Sequence, residues 1–227
     1  MCFQSAPISE QTFREEYPPM PFESQTMLVR SATSSDLLAV ARIHKSQFST
    51  HFLGQYSKGL LARFYEAFLG RSVFLVHESN QCVNGFVLGG DKHQLQACKT
   101  LFIRSNLIRC VWETVLRPRT WPRCISHLRM VSMMAPDFSG ESTSSAGPGS
   151  FSLLSIAVSR EAVGTGVAKA LVAAFERELS SKTAEYYLSV DKRNSRALAF
   201  YFKLGFQQTA ESGQSLVLRR SLPVSLI

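Results

Sequence analysis

The most constraining feature of this sequence is an apolar run, FSLLSIAV, that leads through a glycine-bearing turn into a helical pattern. The run occupies residues 151–158 and is bounded by turn residues, which predicts a buried strand. After the turn, apolar residues recur at helical spacing: Val167, Leu171, Ala174, Phe175 and Leu179. The stretch therefore predicts a strand–turn–helix unit.

The glycines of this turn, Gly164 and Gly166, lie where the predicted helix begins. A helix N-terminus presents free N–H groups and the positive end of the helix dipole, and glycine lets an anion approach the main chain closely. A glycine pair alone is weak evidence, so we compared it with two nucleotide-binding motifs. The dinucleotide fingerprint requires a small residue where Lys169 stands, and the Walker A loop requires a different glycine spacing followed by Lys-Ser/Thr. Neither motif fits.

The rest of the chain alternates strands and helices. The pattern predicts a strand over residues 27–32, a helix capped by Thr33 or Ser34, a helix over 60–69 ended by Gly70, and a hairpin whose strands are joined at Ser79-Asn80. After the central unit come EYYLSV as a strand, NSRALAFYFKLG as a helix, and FQQTA and QSLVLRR as strands. We expect one domain of mixed α+β class over residues 27–220, preceded by a loosely ordered leader over 1–26.

An insert at about residues 91–149 carries most of the net charge of +8. Between residues 91 and 135, eight basic residues face two acidic ones, a local charge of +6. The segments TLFIRSNLIRCVWETVL and CISHLRMVSMM predict helices, and SGESTSSAGPGS predicts a flexible loop. The charge indicates either solvated helix faces or a surface for an anionic ligand or membrane. Nucleic acid is disfavoured because no binding motif accompanies the charge.

The cysteines and the hydropathy of the sequence predict the compartment in which the protein works. The five cysteines form no CxxC pair and have no metal-ligand spacing, so we expect reduced thiols, no metal site and a cytoplasmic location. No apolar run reaches the length of an integral membrane segment, and the N-terminus lacks the pattern of a secretory signal.

The segment NSRALAFYFKLGF supplies a second motif, with Asn194, Ala197, Phe200, Tyr201, Gly205 and Phe206. Together with LLSIAVSREAVGTGVAKALV it resembles the GNAT superfamily of acetyl-CoA-dependent N-acetyltransferases. The family pattern there is Asn, two residues, Ala, two residues, an apolar residue and Tyr, then three residues to Gly-Phe. The family turn, Gln/Arg-x-x-Gly-x-Gly/Ala, falls on Val163, Gly166 and Ala168, so Val163 departs from it.

The resemblance implies a fold and a cosubstrate site. The fold is a central mixed, mostly antiparallel sheet flanked by helices, here with a helical basic insert. The cosubstrate is acetyl-CoA, with its pantetheine arm along Ile156, Ala157 and Val158. Its pyrophosphate would lie on the backbone of Val163, Gly164, Thr165, Gly166, Val167 and Ala168, near Lys169. Because Val163 lacks the usual side chain, we expect weaker acetyl-CoA binding, or compensation by Arg160 or Lys169, and no loss of function.

The resemblance also assigns individual roles. Tyr201 is the general acid that protonates the departing thiolate, and one backbone N–H, at Ile156, would polarise the thioester carbonyl. Asn194 would bond the pantetheine or cap its helix. Lys203 would meet the 3′-phosphate, although an exposed lysine is commonly only solvated.

The sequence does not single out the general base or the acceptor of the acetyl group. Many relatives place a glutamate on the strand where this chain has Ser152 and Ser155. A water chain is one candidate, and the other candidates by chemistry are His44, His51, Asp137, Glu141 and Asp191. The acceptor is expected to be a primary amine of a small molecule, possibly an anionic one such as a nucleotide-linked amino sugar. The alternatives are a protein or peptide N-acetyltransferase, including one in peripheral membrane contact, or a CoA-binding module without turnover. The sequence leaves the oligomeric state open.

Overall fold

A seven-stranded sheet forms the centre of the computed structural model, which describes residues 28–49, 53–115 and 150–223. In chain order the elements are β1 (Leu28–Ser31), α1 (Leu37–Gln47), α2 (Lys58–Glu66), β2 (Val73–Ser79), β3 (Cys82–Asp91), α3 (Lys92–Val115), β4 (Phe151–Val158), α4 (Val167–Leu179), β5 (Glu185–Asp191), α5 (Ser195–Lys203), β6 (Gln207–Ser212) and β7 (Ser215–Ser221). The strand order is β1-β2-β3-β4-β5-β7-β6, and every neighbouring pair is antiparallel except β4–β5. The predicted mixed α+β class is confirmed.

The sheet separates two apolar cores because alternate residues of a strand point to opposite faces. On one face, Val76, Phe86 and Ala157 pack with α1, α2 and the first half of α3. On the other face, Leu75 and Val87 pack with α4 and α5. The resulting helix–sheet–helix layers place α1 and α2 on the opposite side of the sheet from the predicted phosphate turn.

A charged cluster fastens the start of the domain. Thr33 stands at the N-cap of a short 3-10 turn, Ser34–Asp36, and its N–H and hydroxyl both donate to the Asp36 carboxylate at 2.8 Å. Arg30 on β1 donates to Asp36 at 2.7 and 2.9 Å and to Glu78 on β2 at 2.7 Å. The Arg30 guanidinium lowers the pKa of the buried Asp36 to about 2. The cluster therefore ties β1, β2 and α1 together.

The helix and hairpin boundaries differ slightly from the predicted ones. α2 ends at Glu66, and a turn continues to Gly70, which has φ +68°. Ser79 pairs with Cys82, so the hairpin turn is Asn80-Gln81, one residue later than predicted. Both turn residues have positive φ, 50° and 59°, as a two-residue hairpin turn that matches the strand twist requires.

The insert begins with a longer helix than the sequence pattern predicts. α3 starts at Lys92, where Asp91 accepts from the N–H groups of the first turn at 2.9 and 3.1 Å, and it kinks at Asn106. Near its end, Glu113 accepts from the Ser57 N–H at 2.7 Å and from the Ser57 hydroxyl, which fixes α3 to the start of α2. The leader, the second predicted insert helix and most of the polar loop lie outside the described residues. No helix within the described ranges is long and apolar enough to cross a membrane.

Candidate active site

The centre of the site is a divergence between two parallel strands. β4 and β5 share only two residue pairs, Phe151–Tyr186 and Ser152–Tyr187. Beyond them β4 stays paired with β3 through Val158, whereas its other edge pairs with no strand of the described residues. We call this divergence the β4–β5 fork. An unpaired strand edge presents N–H and C=O groups that an extended ligand can bond as an added strand does.

A bulge shapes β4 within the fork. The β3–β4 register shifts between Leu88 and Gly89, so that Leu154 is the extra residue between Leu153 and Ser155. Such an extra residue re-aims the neighbouring side chains. Ile156 and Val158 pack against the core that includes α4, and Ala157 packs against the core that includes α1 and α2. The three residues predicted to pair with the pantetheine thus line the open edge of β4.

The turn after β4 builds an anion cradle, by which we mean residues 163–169. Gly164 and Gly166 have φ of +85° and +88°, and Gly166 is the N-cap of α4. The Thr165 hydroxyl donates to the Ala162 carbonyl at 2.8 Å, and the buried Ala162 anchors the turn. An ideal Cβ on either glycine meets no atom of the described residues within 4 Å, so this part of the structure leaves the space in front of the turn open.

The backbone N–H groups of the cradle fit an anion. The Val163 and Thr165 N–H groups make long bonds within the turn, at 3.3 and 3.4 Å. In the described parts of the chain, no acceptor is present for five other N–H groups, those of Gly164, Gly166, Val167, Ala168 and Lys169. Free donors at a helix N-terminus bind phosphate groups well.

The structure shows where the side chains predicted to bind acetyl-CoA lie around the cradle. Val163 is half-buried and supplies no charge, while Arg160 and Lys169 are exposed next to the open space. Asn194 caps α5, because its Oδ1 accepts from the Ala197 N–H at 3.0 Å. Lys203 is exposed in the last turn of α5.

Tyr201 lies on α5 in the same apolar cluster as Ile156 and Val158. Its ring packs edge-on against Phe200 and Phe206, and only 7% of the residue is exposed. Within the described ranges its hydroxyl makes no hydrogen bond, and burial raises the pKa of Tyr201 to about 12. The phenol is therefore protonated at neutral pH and has its proton available for a partner.

An ion-pair network fixes the position of α5. Glu176 on α4 accepts from the Tyr186 hydroxyl at 2.8 Å and from Arg220 Nε at 2.5 Å. Arg220 also donates to the Leu204 carbonyl at the end of α5 and lies over the Phe206 ring. The network therefore holds the helix that carries Tyr201 against the cradle helix.

The other face of the fork carries polar groups between α1, α2 and β4. His44 Nδ1 and the Tyr65 hydroxyl are 2.6 Å apart in the core, and Ser155 on β4 pairs with Leu88 of the same core. At the closed end of the fork, Lys92 Nζ lies 5.3 Å from the centre of the Tyr187 ring, and burial lowers the pKa of Lys92. Sequence reasoning missed Tyr65 and Lys92, since neither belongs to a local motif.

The candidate bases are placed differently from one another. His44 is buried beside Tyr65, and Asp191 is bonded to Arg193 at 2.7–3.0 Å. His51, Asp137 and Glu141 lie outside the described residues. Among the described residues no group of three or more metal-ligating side chains is present, and Cys82 and Cys98 are free thiols.

The part of the chain that contains the fork and the cradle is similar to a known protein family. Residues 131–206 match the model of the Acetyltransferase (GNAT) family, a range that contains β4, α4, β5 and α5. No curated protein matches the sequence.

Solved structures share the fold at low identity. Ard1 from Thermoplasma volcanium is 18% identical, with 87% of this chain and 98% of that chain covered and a TM-score of 0.53. The PaiA N-acetyltransferase from Thermoplasma acidophilum, in complex with coenzyme A, is 14% identical, with coverages of 86% and 99% and a TM-score of 0.51. SsHAT is 21% identical, with coverages of 86% and 98% and a TM-score of 0.60.

The mixed sheet and its flanking helices therefore form a fold that is shared with solved N-acetyltransferase structures. The chain thus resembles GNAT acetyltransferases in the motif-bearing residues 131–206 and in its fold, and one of the solved structures with this fold holds coenzyme A.

Proposed function

We propose that the protein transfers the acetyl group of acetyl-CoA to a primary amine of a small molecule by direct attack of the amine on the thioester. The observation that carries this proposal is the pairing of an open β4 edge with five free N–H groups at the cradle. One site binds an extended amide-containing arm and the other binds a pyrophosphate, and coenzyme A contains both in sequence. The Thermoplasma acidophilum neighbour, whose structure holds coenzyme A, supports this assignment.

The donor thioester is positioned by backbone groups. Ile156, Ala157 and Val158 bond the pantetheine arm along the open edge of β4, and the Ile156 N–H donates to the thioester carbonyl. A donor aimed at the oxygen stabilises the charge that develops there as the amine attacks. The cradle backbone holds the pyrophosphate, with Lys169 and Arg160 adding charge. Asn194 retains its cap and offers its amide to the pantetheine, and Lys203 meets the 3′-phosphate.

Tyr201 is the general acid in this proposal. As the C–N bond forms and the C–S bond breaks, the phenol donates its proton to the departing thiolate. The pKa of about 12 keeps the phenol protonated throughout the neutral range. Its hydroxyl makes no hydrogen bond with the described residues, so it need not give up a partner to reach the sulfur.

The acceptor is proposed to be anionic, such as a nucleotide-linked amino sugar. Lys92 lies over Tyr187 at the closed end of the fork, on the face opposite the cradle. It opens a helix that carries Lys99, Arg104 and Arg109 against the single acid Glu113. A half-buried ammonium beside an aromatic ring suits a phosphate or carboxylate substituent.

A protein or peptide acceptor is the second candidate. Ile108 and Trp112 on α3 are 84% and 64% exposed, with Leu107 and Val111 beside them. Exposed aromatic and aliphatic side chains close to arginines favour a macromolecular contact, with a protein or a membrane surface. A CoA-binding module without turnover is the third reading, and it differs from the others by releasing no thiol. The free thiols fit work in the reducing cytoplasm.

The first test separates binding from turnover. We expect acetyl-CoA to raise the melting temperature, because a ligand that binds only the native state stabilises it. Thiol release is then measured with amino sugars, nucleotide amino sugars, polyamines, amino acids and N-terminal peptides. Release with nucleotide amino sugars supports the proposal, release with peptides supports the second candidate, and a thermal shift without any release supports the silent module.

The role of Tyr201 is tested by Tyr201→Phe. The variant retains the ring contacts, so we expect little change in stability or in acetyl-CoA affinity. General acid catalysis contributes about 10² to 10⁴ in rate, and kcat should fall by that factor. The acetyl-CoA dissociation constant and the melting temperature serve as internal controls. An unchanged kcat would show that Tyr201 has only a packing role.

A further inference from the structure

The second half of α3 presents an apolar face that none of the described elements covers. α3 kinks at Asn106, whose φ is −129° and whose side-chain amide donates to the Phe102 carbonyl at 3.0 Å. Beyond the kink, four large apolar side chains are 52–84% exposed: Leu107, Ile108, Val111 and Trp112. We call these four residues the α3 patch. Single exposed apolar residues are ordinary on a protein surface, but a contiguous group that includes tryptophan is typical of a contact surface.

The opposite side of the same helical segment is attached to the protein. Asn106 is buried, and Cys110 packs against the core that includes α1 and α2. Glu113 accepts from the Ser57 N–H at 2.7 Å and from the Ser57 hydroxyl. Residues spaced three or four apart share one face of a helix, so these three contacts fix one side of the segment. The α3 patch therefore points away from the rest of the domain.

The charge around the α3 patch is positive. Arg104 and Arg109 are exposed, and no salt bridge joins either of them to a carboxylate of the described residues. The single carboxylate in the sequence of α3 is Glu113, which is bonded to Ser57 on the inner side. The neighbouring helix α2 adds two exposed basic residues and one exposed acidic residue: Lys58, Arg63 and Glu66. The surface thus combines apolar side chains with an excess of cations.

We propose that the α3 patch docks on an anionic membrane surface. Its apolar side chains enter the headgroup region of the bilayer, while Arg104 and Arg109 bond the acidic headgroups. Tryptophan suits this depth because its ring is apolar and its N–H is polar, and arginine can keep its charged end among the headgroups while its stem lies on apolar surface. The proposal does not depend on the proposed acetyl transfer.

Docking leaves the cradle accessible to acetyl-CoA. The first half of α3 packs in the core on the α1 and α2 face of the sheet, and the second half is bonded to the start of α2. The cradle helix α4 packs on the other face. The membrane and the cosubstrate would therefore meet opposite sides of the protein.

A second copy of the chain fits the α3 patch less well than an anionic lipid surface does. In a two-fold dimer the same surface of both copies meets. Arg104 and Arg109 of one copy would then lie near those of the other, with the one carboxylate of α3 turned inward. Like charges brought together in this way oppose association. Acidic lipids supply the negative charge and also an apolar layer for Ile108 and Trp112.

Vesicle sedimentation with the whole chain tests the docking. The vesicles contain phosphatidylcholine alone, or phosphatidylcholine and phosphatidylserine at a molar ratio of about 2:1. We expect binding to the mixed vesicles only, and loss of that binding as the salt concentration rises from about 0.1 M to about 0.5 M, because salt screens surface charge. Binding to neither kind of vesicle, or equal binding to both, would overturn the proposal.

Trp112 reports whether the α3 patch itself enters the membrane. The chain has two tryptophans, Trp112 and Trp121, so Trp121→Phe leaves Trp112 as the single fluorescent indole. With the mixed vesicles we expect its emission to move to shorter wavelength and to be quenched by phosphatidylcholine with brominated acyl chains. Sedimentation with the vesicles without either change would show that another surface binds them, and would overturn the proposal.

Substitutions separate the apolar contribution from the charged one. Ile108→Ser should weaken binding to the mixed vesicles about tenfold, the effect of burying part of one aliphatic side chain. Arg104→Gln and Arg109→Gln should each weaken it about fivefold, the contribution of one cation at an anionic surface. All three side chains are exposed, so the melting temperature should stay that of the unaltered protein.

Leu38→Ser is the matched control, since Leu38 is 54% exposed on α1, outside the α3 patch. We expect it to bind the mixed vesicles as the unaltered protein does, and equal losses in Leu38→Ser and Ile108→Ser would overturn the proposal. Sedimentation velocity without lipid distinguishes the other occupant. A dimer that Ile108→Ser dissociates would show that a second copy covers the α3 patch, and would overturn membrane docking.

Discussion

A substitution at Gly166, the N-cap of α4 in the cradle, should weaken acetyl-CoA binding strongly while the protein still folds. Gly166 has φ +88° and ψ −7°, and a Cβ built there meets no atom of residues 28–49, 53–115 or 150–223 within 4 Å. A side chain at this φ costs roughly 1–2 kcal/mol of backbone strain but produces no clash. Gly166→Val should therefore fold, with a melting temperature lower by about 2–8 °C for a chain of this size.

The same side chain fills the space in front of the free cradle N–H groups. A hydrogen bond to a charged group contributes about 1.5–3 kcal/mol, so losing two of them weakens acetyl-CoA by about 3–6 kcal/mol. This corresponds to a dissociation constant raised roughly 10²- to 10⁴-fold, which isothermal titration calorimetry can measure.

Gly70→Val is the control for strain alone. Gly70 has φ +68°, a Cβ there also meets nothing within 4 Å, and the residue lies between α2 and β2, away from the cradle. We expect a similar loss of stability with normal acetyl-CoA affinity. Normal affinity in Gly166→Val as well would refute the reasoning, since the pyrophosphate would then lie elsewhere.

Three further changes test other parts of the structure. Val163→Gln supplies a side-chain donor at the edge of the cradle and should tighten acetyl-CoA binding about 2- to 10-fold by calorimetry, the effect of one net hydrogen bond; weaker binding would contradict this. Asp36→Asn should lower the free energy of unfolding by about 2 kcal/mol at pH 7, because Arg30 depresses the pKa of Asp36 from 3.8 to about 2. That contribution is complete above about pH 4 and disappears as the pH falls toward 2. Urea unfolding should therefore show a smaller difference between Asp36→Asn and the unaltered protein at pH 2 than at pH 7, and equal differences would contradict the prediction. Glu113→Ala removes the acceptor of the Ser57 N–H and should speed amide exchange at the start of α2, and unchanged exchange would show that the contact contributes nothing.

Much of the fold follows from local sequence rules. The strand at FSLLSIAV and the helix after Gly166 appear at the predicted positions, because the apolar periodicity there is strong and the glycines mark the turn. The start of α3 was predicted late. Its first turns bury only Leu95 and Cys98, too few for a clear helical period in the sequence, and Asp91 caps them.

The site is predictable only in part, because its two faces are built differently. The cradle is contiguous in sequence, so a motif reveals it. Tyr65 and His44 lie on two separate helices, and only the packing of α1 and α2 on the sheet brings them together on the other face. Val163 replaces the Gln or Arg of the family motif, yet the backbone N–H donors of the cradle remain. A mismatch to the motif at this position therefore does not predict the loss of the anion site.

The central claim is that acetyl-CoA lies along β4 and on the cradle. Residue-resolved amide hydrogen exchange with and without saturating acetyl-CoA tests it directly. Bound ligand should slow the exchange of amides on the open edge of β4, between Leu153 and Val158, and of the cradle amides at Gly164, Gly166, Val167 and Ala168. Clear binding of acetyl-CoA with unchanged exchange at both places would contradict the account.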